Sequence, residues 1–276
     1  MFSILNMPVI QNGFRFRYLT ICFVIVVSFM AVAQAEEPKD PELEKVIDKA
    51  VELCDSADID QSRQYLESSG EAVVVAQRYS ELLRRLYFKK QDVPLMVSMG
   101  ETGIDYALRE AKDCEAEQEA EAKKLKGIAK EISFNMGVNT WPGWNDPGIV
   151  IDESARKAGF QAARLNHQLA IELKRDQAVL ANAEWLVGAH HLAAEEYTEA
   201  IQVFERASVN FAQANKPDAE LMAKGYRALA LILAKDDAEQ GKREWMQARQ
   251  KLEEINSDDA RFYLEQLSVA RQVFEK

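Results

Sequence analysis

The chain has 276 residues, with 34 Lys and Arg against 45 Asp and Glu, for a formal net charge of −11 at pH 7. A surface this acidic repels nucleic-acid phosphates and anionic lipid head groups, so no nucleic-acid partner is expected. Three Cys without a C-x-x-C pair argue against thiol redox chemistry and against a cysteine-ligated zinc site.

Residues 1–35 read as a secretory signal rather than as part of a fold. Arg15 and Arg17 precede an apolar run, Leu19 to Val32. Ala33-Gln34-Ala35 then sets small residues at the −3 and −1 positions before Glu36-Glu37. The run falls short of the about 20 residues that a membrane-spanning helix needs, so membrane contact is expected only in transit. Cleavage near Ala35 would leave Glu36 to Lys276 secreted or periplasmic. In that compartment Cys54 and Cys114 can join as a disulfide, or each can sit buried as a small apolar residue. Both outcomes stay open at this level.

Ala, Glu, Leu, Lys, Gln and Arg, the strong helix formers, dominate the rest of the chain. Pro41, Gly70, Pro94, the stretch from Pro142 to Gly148, and Pro217 punctuate it. Apolar residues at helical spacing predict a leading helical region over 41–66. Helices then follow near 71–89, 93–112, 116–136, 152–173, 177–193, 196–214, 218–235, 237–255 and 258–275. Pro94 and Pro217 suit first-turn positions, where a missing N–H costs nothing. The short links force antiparallel neighbours and group the helices as hairpins near 71–112, 116–173, 177–214 and 218–255. The acidic run from Glu115 to Glu121, followed by Lys123-Lys124, reads as a solvated helix face with a Glu119–Lys123 pair.

Trp141-Pro142-Gly143-Trp144-Asn145-Asp146-Pro147-Gly148 breaks this helical pattern. Rigid Pro and permissive Gly shape a fixed loop, and an exposed Trp is a good anchor for a partner. Trp141, Trp144, Asn145 and Asp146 are therefore the candidate ligand-binding residues. The plainer alternative is that both indoles plug the gap left by a long connection.

His191 and Glu195 are four apart and would share a helix face; with His190 they form a weak candidate metal set. Only His167 is left to complete such a site, so packed histidines are the simpler expectation, with no metal or cofactor. The chain carries no G-x-S-x-G elbow, H-E-x-x-H, phosphate loop or dinucleotide fingerprint. An acid pair such as Glu184 with Asp146 would leave no such signature.

One pattern recurs. Trp185-x-x-Gly188 precedes Tyr197-x-x-Ala200-x-x-x-Phe204-x-x-Ala207. The second half returns as Ala238-x-x-Gly241-x-x-x-Trp245-x-x-Ala248, and upstream as Phe160-x-x-Ala163-x-x-x-His167-x-x-Ala170. A fainter copy is Val97-x-x-Gly100-x-x-x-Ile104-x-x-Ala107, and Tyr226 matches Trp185 in the following first helix, although Leu229 replaces Gly188. This alternation of small and large residues resembles the tetratricopeptide repeat (TPR), with a spacing longer and less even than the usual about 34 residues. The resemblance implies an all-α fold: a TPR-like α-solenoid of antiparallel helical hairpins. The last helix puts Tyr263, Leu267, Ala270 and Phe274 on one face and suits a cap. It also implies a groove, lined by the first helix of each pair, that takes an extended peptide, a protein tail or another helix. The expected function is a non-catalytic, exported scaffold for a peptide or protein partner, basic where charge guides the choice. A small-ligand or metal-binding module at the Trp141–Gly148 loop or at His190/His191 comes second, and a helical enzyme third.

Overall fold

The computed structural model describes residues 41–55, 59–68, 70–114, 116–235 and 237–275. The signal-like segment and the cleavage expected at Ala35 lie outside them. Among the described residues the chain is all-α, without strands. Eleven α-helices follow one another: α1 Pro41–Asp55, α2 Ile59–Glu67, α3 Ala72–Arg85, α4 Val93–Cys114, α5 Glu119–Asn139, α6 Glu153–Glu172, α7 Gln177–Ala193, α8 Tyr197–Gln213, α9 Pro217–Ala234, α10 Ala238–Ile255 and α11 Asp258–Phe274. None of them is long and apolar enough to cross a membrane.

Each helix packs on its neighbour in sequence, and α3 also touches α5, as α9 touches α11. The region read as one leading segment is two helices. They dock on α3 through Arg85, which pairs with Asp48 and, at 2.8 Å, with Glu44, and through the Tyr79 hydroxyl, which donates to Glu67 at 2.7 Å. The acidic run is not wholly helical: α5 begins only at Glu119, after a turn in which the Gln118 N–H bonds back to the Cys114 carbonyl. Cys54 and Cys114 are not joined to each other.

Local chemistry explains most boundaries. The side chains of Asp152, Asp176 and Ser257 accept the N–H of Ala155, Val179 and Ala260 at 2.7–3.0 Å, satisfying orphan donors at the starts of α6, α7 and α11. Three successive helices end alike. Lys174, Glu195 and Asn215 take left-handed backbone (φ 49°, 61° and 56°). The next N–H, of Arg175, Glu196 or Lys216, then bonds at 3.0 Å to the carbonyl five residues back. That is the Schellman terminator, here built without Gly at any of the three positions.

The recurrent small and large residues form the seams. Trp185, Ala200, Phe204, Ala207, Tyr226, Trp245 and Ala248 are all buried. The Phe204 ring stacks on Tyr226 with centroids 5.4 Å apart. It also crowds Gly188 so closely that a Cβ there would meet it at 2.8 Å. Burying such rings at about 25 cal/mol per Å² is what holds the neighbouring hairpins together.

Candidate functional site

The Trp141–Ile151 connection lies between α5 and α6. Thr140 ends α5, its hydroxyl donating back to the Met136 carbonyl at 2.8 Å. Trp141 is extended, Pro142 opens a single 3-10 turn, and Asn145 closes it in the left-handed region at φ 53°. Asp146-Pro147-Gly148-Ile149 then forms a β-turn closed by the Ile149 N–H on the Asp146 carbonyl. Pro second and Gly third, at φ 83°, is the arrangement of a type II turn.

Both ends of this loop are tied down. On one side α3 runs into a π-helical turn, Leu86–Lys90, which brings Tyr87 and Gln91 to the loop. The Tyr87 hydroxyl donates to Asp146 at 2.6 Å, and the Gln91 amide donates to the Pro147 carbonyl at 3.2 Å. On the other side the Trp141 indole N–H donates to the Ala189 carbonyl of α7 at 2.8 Å. Its ring meets Trp185 of α7, Tyr226 of α9 and Phe274 of α11 at 5.8–5.9 Å. Trp144 donates to the Val138 carbonyl at 2.9 Å.

Trp141 thus takes the plainer of its two expected places, a plug in the gap, and is not an exposed anchor. It is fully buried (0 % accessible), because the faces of α7, α9 and α11 converge on it. Trp144 and Asp146 are half-buried, and Asn145 is exposed. All four predicted ligand residues nonetheless line one cavity of about 120 Å³, together with Tyr87, Ile149 and Ile151.

The histidines do not form a metal set. The α7 helix stops at Ala193, so Glu195 lies past its end in left-handed backbone and shares no face with His191. His191 Nδ1 instead meets the Glu196 carboxylate at 2.6 Å. His190 is 3 % accessible, donates from Nε2 to the Gly137 carbonyl at 2.9 Å, and stacks on Phe160. Burial pulls its pKa down to about 4, so the ring is neutral at neutral pH. Among the described residues no group of three His, Cys, Asp or Glu side chains is placed to hold a metal.

Two further polar groupings emerge from the fold. Glu184, 5 % accessible, takes Asn210 Nδ2 on one oxygen at 2.6 Å, while Arg206 and His167 stand 3.7 and 4.0 Å from the other. Asp146, with which it was weighed as an acid pair, is not among its partners. Burial raises the Glu184 pKa against the opposing Asn210 and Arg206, and burial with Arg206 lowers that of His167. These residues come from three helices, and no local pattern announces them. The second grouping lines a cavity of about 280 Å³ where α4 turns into α5, with Glu110, Asp113, Glu117 and Glu121 among the lining residues and Glu110 paired to Arg109 at 3.1 Å. Beside them the Cys114 thiol is held above its usual pKa by desolvation and by Glu121.

No protein-family model matches the chain, and no curated protein matches it.

Proposed function

We propose that this chain is an exported, TPR-like repeat scaffold that binds a peptide or protein partner of basic character. The observation that carries the reading is the cavity of about 280 Å³ at the α4–α5 turn, lined by Asp113, Glu117, Glu121 and by Glu110, which Arg109 already pairs at 3.1 Å, on a chain with net charge −11. Lysine or arginine side chains of a partner complement such a wall, and the charge excess speeds their encounter. Helices packed in adjacent pairs, with a repeated burial of small and large residues along their seams, support the solenoid reading. A rigid helical wall lowers the ordering cost of association.

The test is affinity capture by the chain lacking residues 1–35, compared with a variant carrying Glu110→Gln, Asp113→Asn, Glu117→Gln and Glu121→Gln. A stoichiometric basic protein retained by the native surface and lost from the neutralised one is the expected result. Equal retention by both forms would remove the acidic cavity from the account.

A second reading, a small-ligand module at the Trp141–Ile151 loop, is favoured by one observation: Trp141, Trp144, Asn145 and Asp146 all border the same cavity.

A further inference from the structure

We propose that the Lys130 ammonium and the Arg175 guanidinium form a site for a phosphoryl group, free or as the monoester of a larger ligand.

Lys130 belongs to α5, and Arg175 to the link between α6 and α7. Gly127, one turn before Lys130, has no side chain, and the Arg175 guanidinium takes that space: a Cβ at Gly127 would lie 3.0 Å from one of its nitrogens. Residues three apart are neighbours on a helix surface, with Cβ atoms about 5–6 Å from each other. The two cations therefore share one patch of α5. Asn166 of α6 ties down the same stretch, its amide donating to the Lys130 carbonyl at 2.9 Å.

The acids nearest this pair are engaged elsewhere. Glu131 accepts the Ser80 hydroxyl of α3 at 2.8 Å, and Asp176 caps α7 by accepting the Val179 N–H at 2.9 Å. Among the described residues no carboxylate pairs with Lys130 or Arg175; the Lys130 ammonium lies 5.9 Å from the centre of the Phe134 ring. Lys130 is half-buried. Desolvation, aided by Arg175, pulls its pKa to about 8 against the opposing pull of Glu131 and Asp176. A half-buried ammonium beside an unpaired guanidinium stays unfavourable until an anion lies between them.

This arrangement selects the anion. Two unpaired positive charges are balanced by one dianion, and a phosphoryl group carries about −1.5 to −2 at neutral pH. The planar guanidinium presents a fork to two of its oxygens, and the ammonium serves a third as a point charge. A halide has a single centre and cannot span both. One turn along the same face of α5, Lys126 and Lys123 line a cavity of about 260 Å³ with Lys174. Glu119 and Glu172 line it too, with Glu172 held by Lys126 at 2.8 Å. That space can take the remainder of a monoester.

Labelling of Lys130 in the full chain by an amine-selective acylating reagent near pH 7.5, read by peptide mass mapping, tests the site. Inorganic phosphate should slow it saturably, by about tenfold, because a bound anion favours the charged ammonium. Sodium chloride of equal ionic strength should not. Protection by glycerol 3-phosphate at lower concentration than phosphate points to a monoester; the reverse order points to the free anion. Arg175→Gln, with helical circular dichroism unchanged, should itself slow the labelling, since a like charge is gone, and should abolish the protection. Arg175→Lys should keep part of it. Equal protection by phosphate and chloride, or protection that survives Arg175→Gln, overturns the site.

Discussion

His190 shows how burial becomes a pH dependence. Its folded pKa, about 4, lies below the model-compound value of about 6.5. Between those two values the unfolded chain binds the extra proton, so folding stability falls as the pH drops through that window. The slope from this residue approaches about 1.4 kcal/mol per pH unit, for a total of about 3 kcal/mol. Denaturant titrations at neutral pH and near pH 5 should show this loss, and His190→Gln should flatten the slope while lowering stability overall. An unchanged slope in that variant would mean the ring is not sealed as described. Glu184, whose pKa burial raises, works in the opposite sense and softens the total acid effect.

Trp141 belongs to the same scale. Replacing a fully buried indole by Ala removes its ring contacts and its hydrogen bond to the Ala189 carbonyl, at a cost of about 3–5 kcal/mol. Trp144→Ala should cost less, because Trp144 is only half-buried and meets the seam through Trp185 alone of the downstream rings that Trp141 touches. Thermal melts of the two variants check the order. Lys130 offers a chemical probe: desolvation and the neighbouring Arg175 pull its pKa to about 8. An amine-selective acylating reagent applied near pH 7.5 should label it ahead of the exposed lysines, read by peptide mass mapping.

At the scale of elements, the helix boundaries were the most legible part of the molecule. Pro94 and Pro217 sit in first turns, and Asp152, Asp176 and Ser257 cap as their types suggest. What escaped notice needed more than local chemistry. The π turn at Leu86–Lys90 has no propensity signal, yet it delivers Tyr87 to Asp146. Lys174 and Glu195 hold left-handed backbone that their types disfavour, so the common terminator of α6 and α7 is invisible in composition. That conflict is testable. Lys174→Gly and Glu195→Gly should each stabilise the fold or leave it unchanged, by up to about 1 kcal/mol, where Gly in a helix would cost as much. A loss of stability in either variant would show that its side chain matters more than its backbone strain.

For the whole molecule, the decisive feature is that the Trp141–Ile151 loop joins parts of the chain distant in sequence. It leans on Tyr87 and Gln91 at one end and on α7, α9 and α11 at the other. The loop stood out in the sequence as the one Trp-Pro-Gly interruption of a helical chain. Its burial was the plainer reading of the sequence; what the sequence does not carry is the identity of the partners, Trp185, Tyr226 and Phe274, which the fold brings from far downstream. The Glu184 grouping was missed for the same reason, being assembled from α6, α7 and α8. If the loop ties the array together, Trp141→Ala should speed amide exchange across α11, more than a hundred residues away in sequence. Exchange in α1 should stay unchanged.

The acidic wall at the α4–α5 turn, proposed to recognise basic partners, can be probed directly. Fluorescence anisotropy of a labelled lysine-rich peptide, set against a glutamate-rich peptide of equal length, measures that recognition. The lysine-rich peptide should bind at least about tenfold more tightly, weaken as salt rises to about 0.5 M, and lose its advantage in the four-carboxylate variant. Equal affinity for the two peptides, or an advantage that survives neutralisation of Glu110, Asp113, Glu117 and Glu121, would contradict the account.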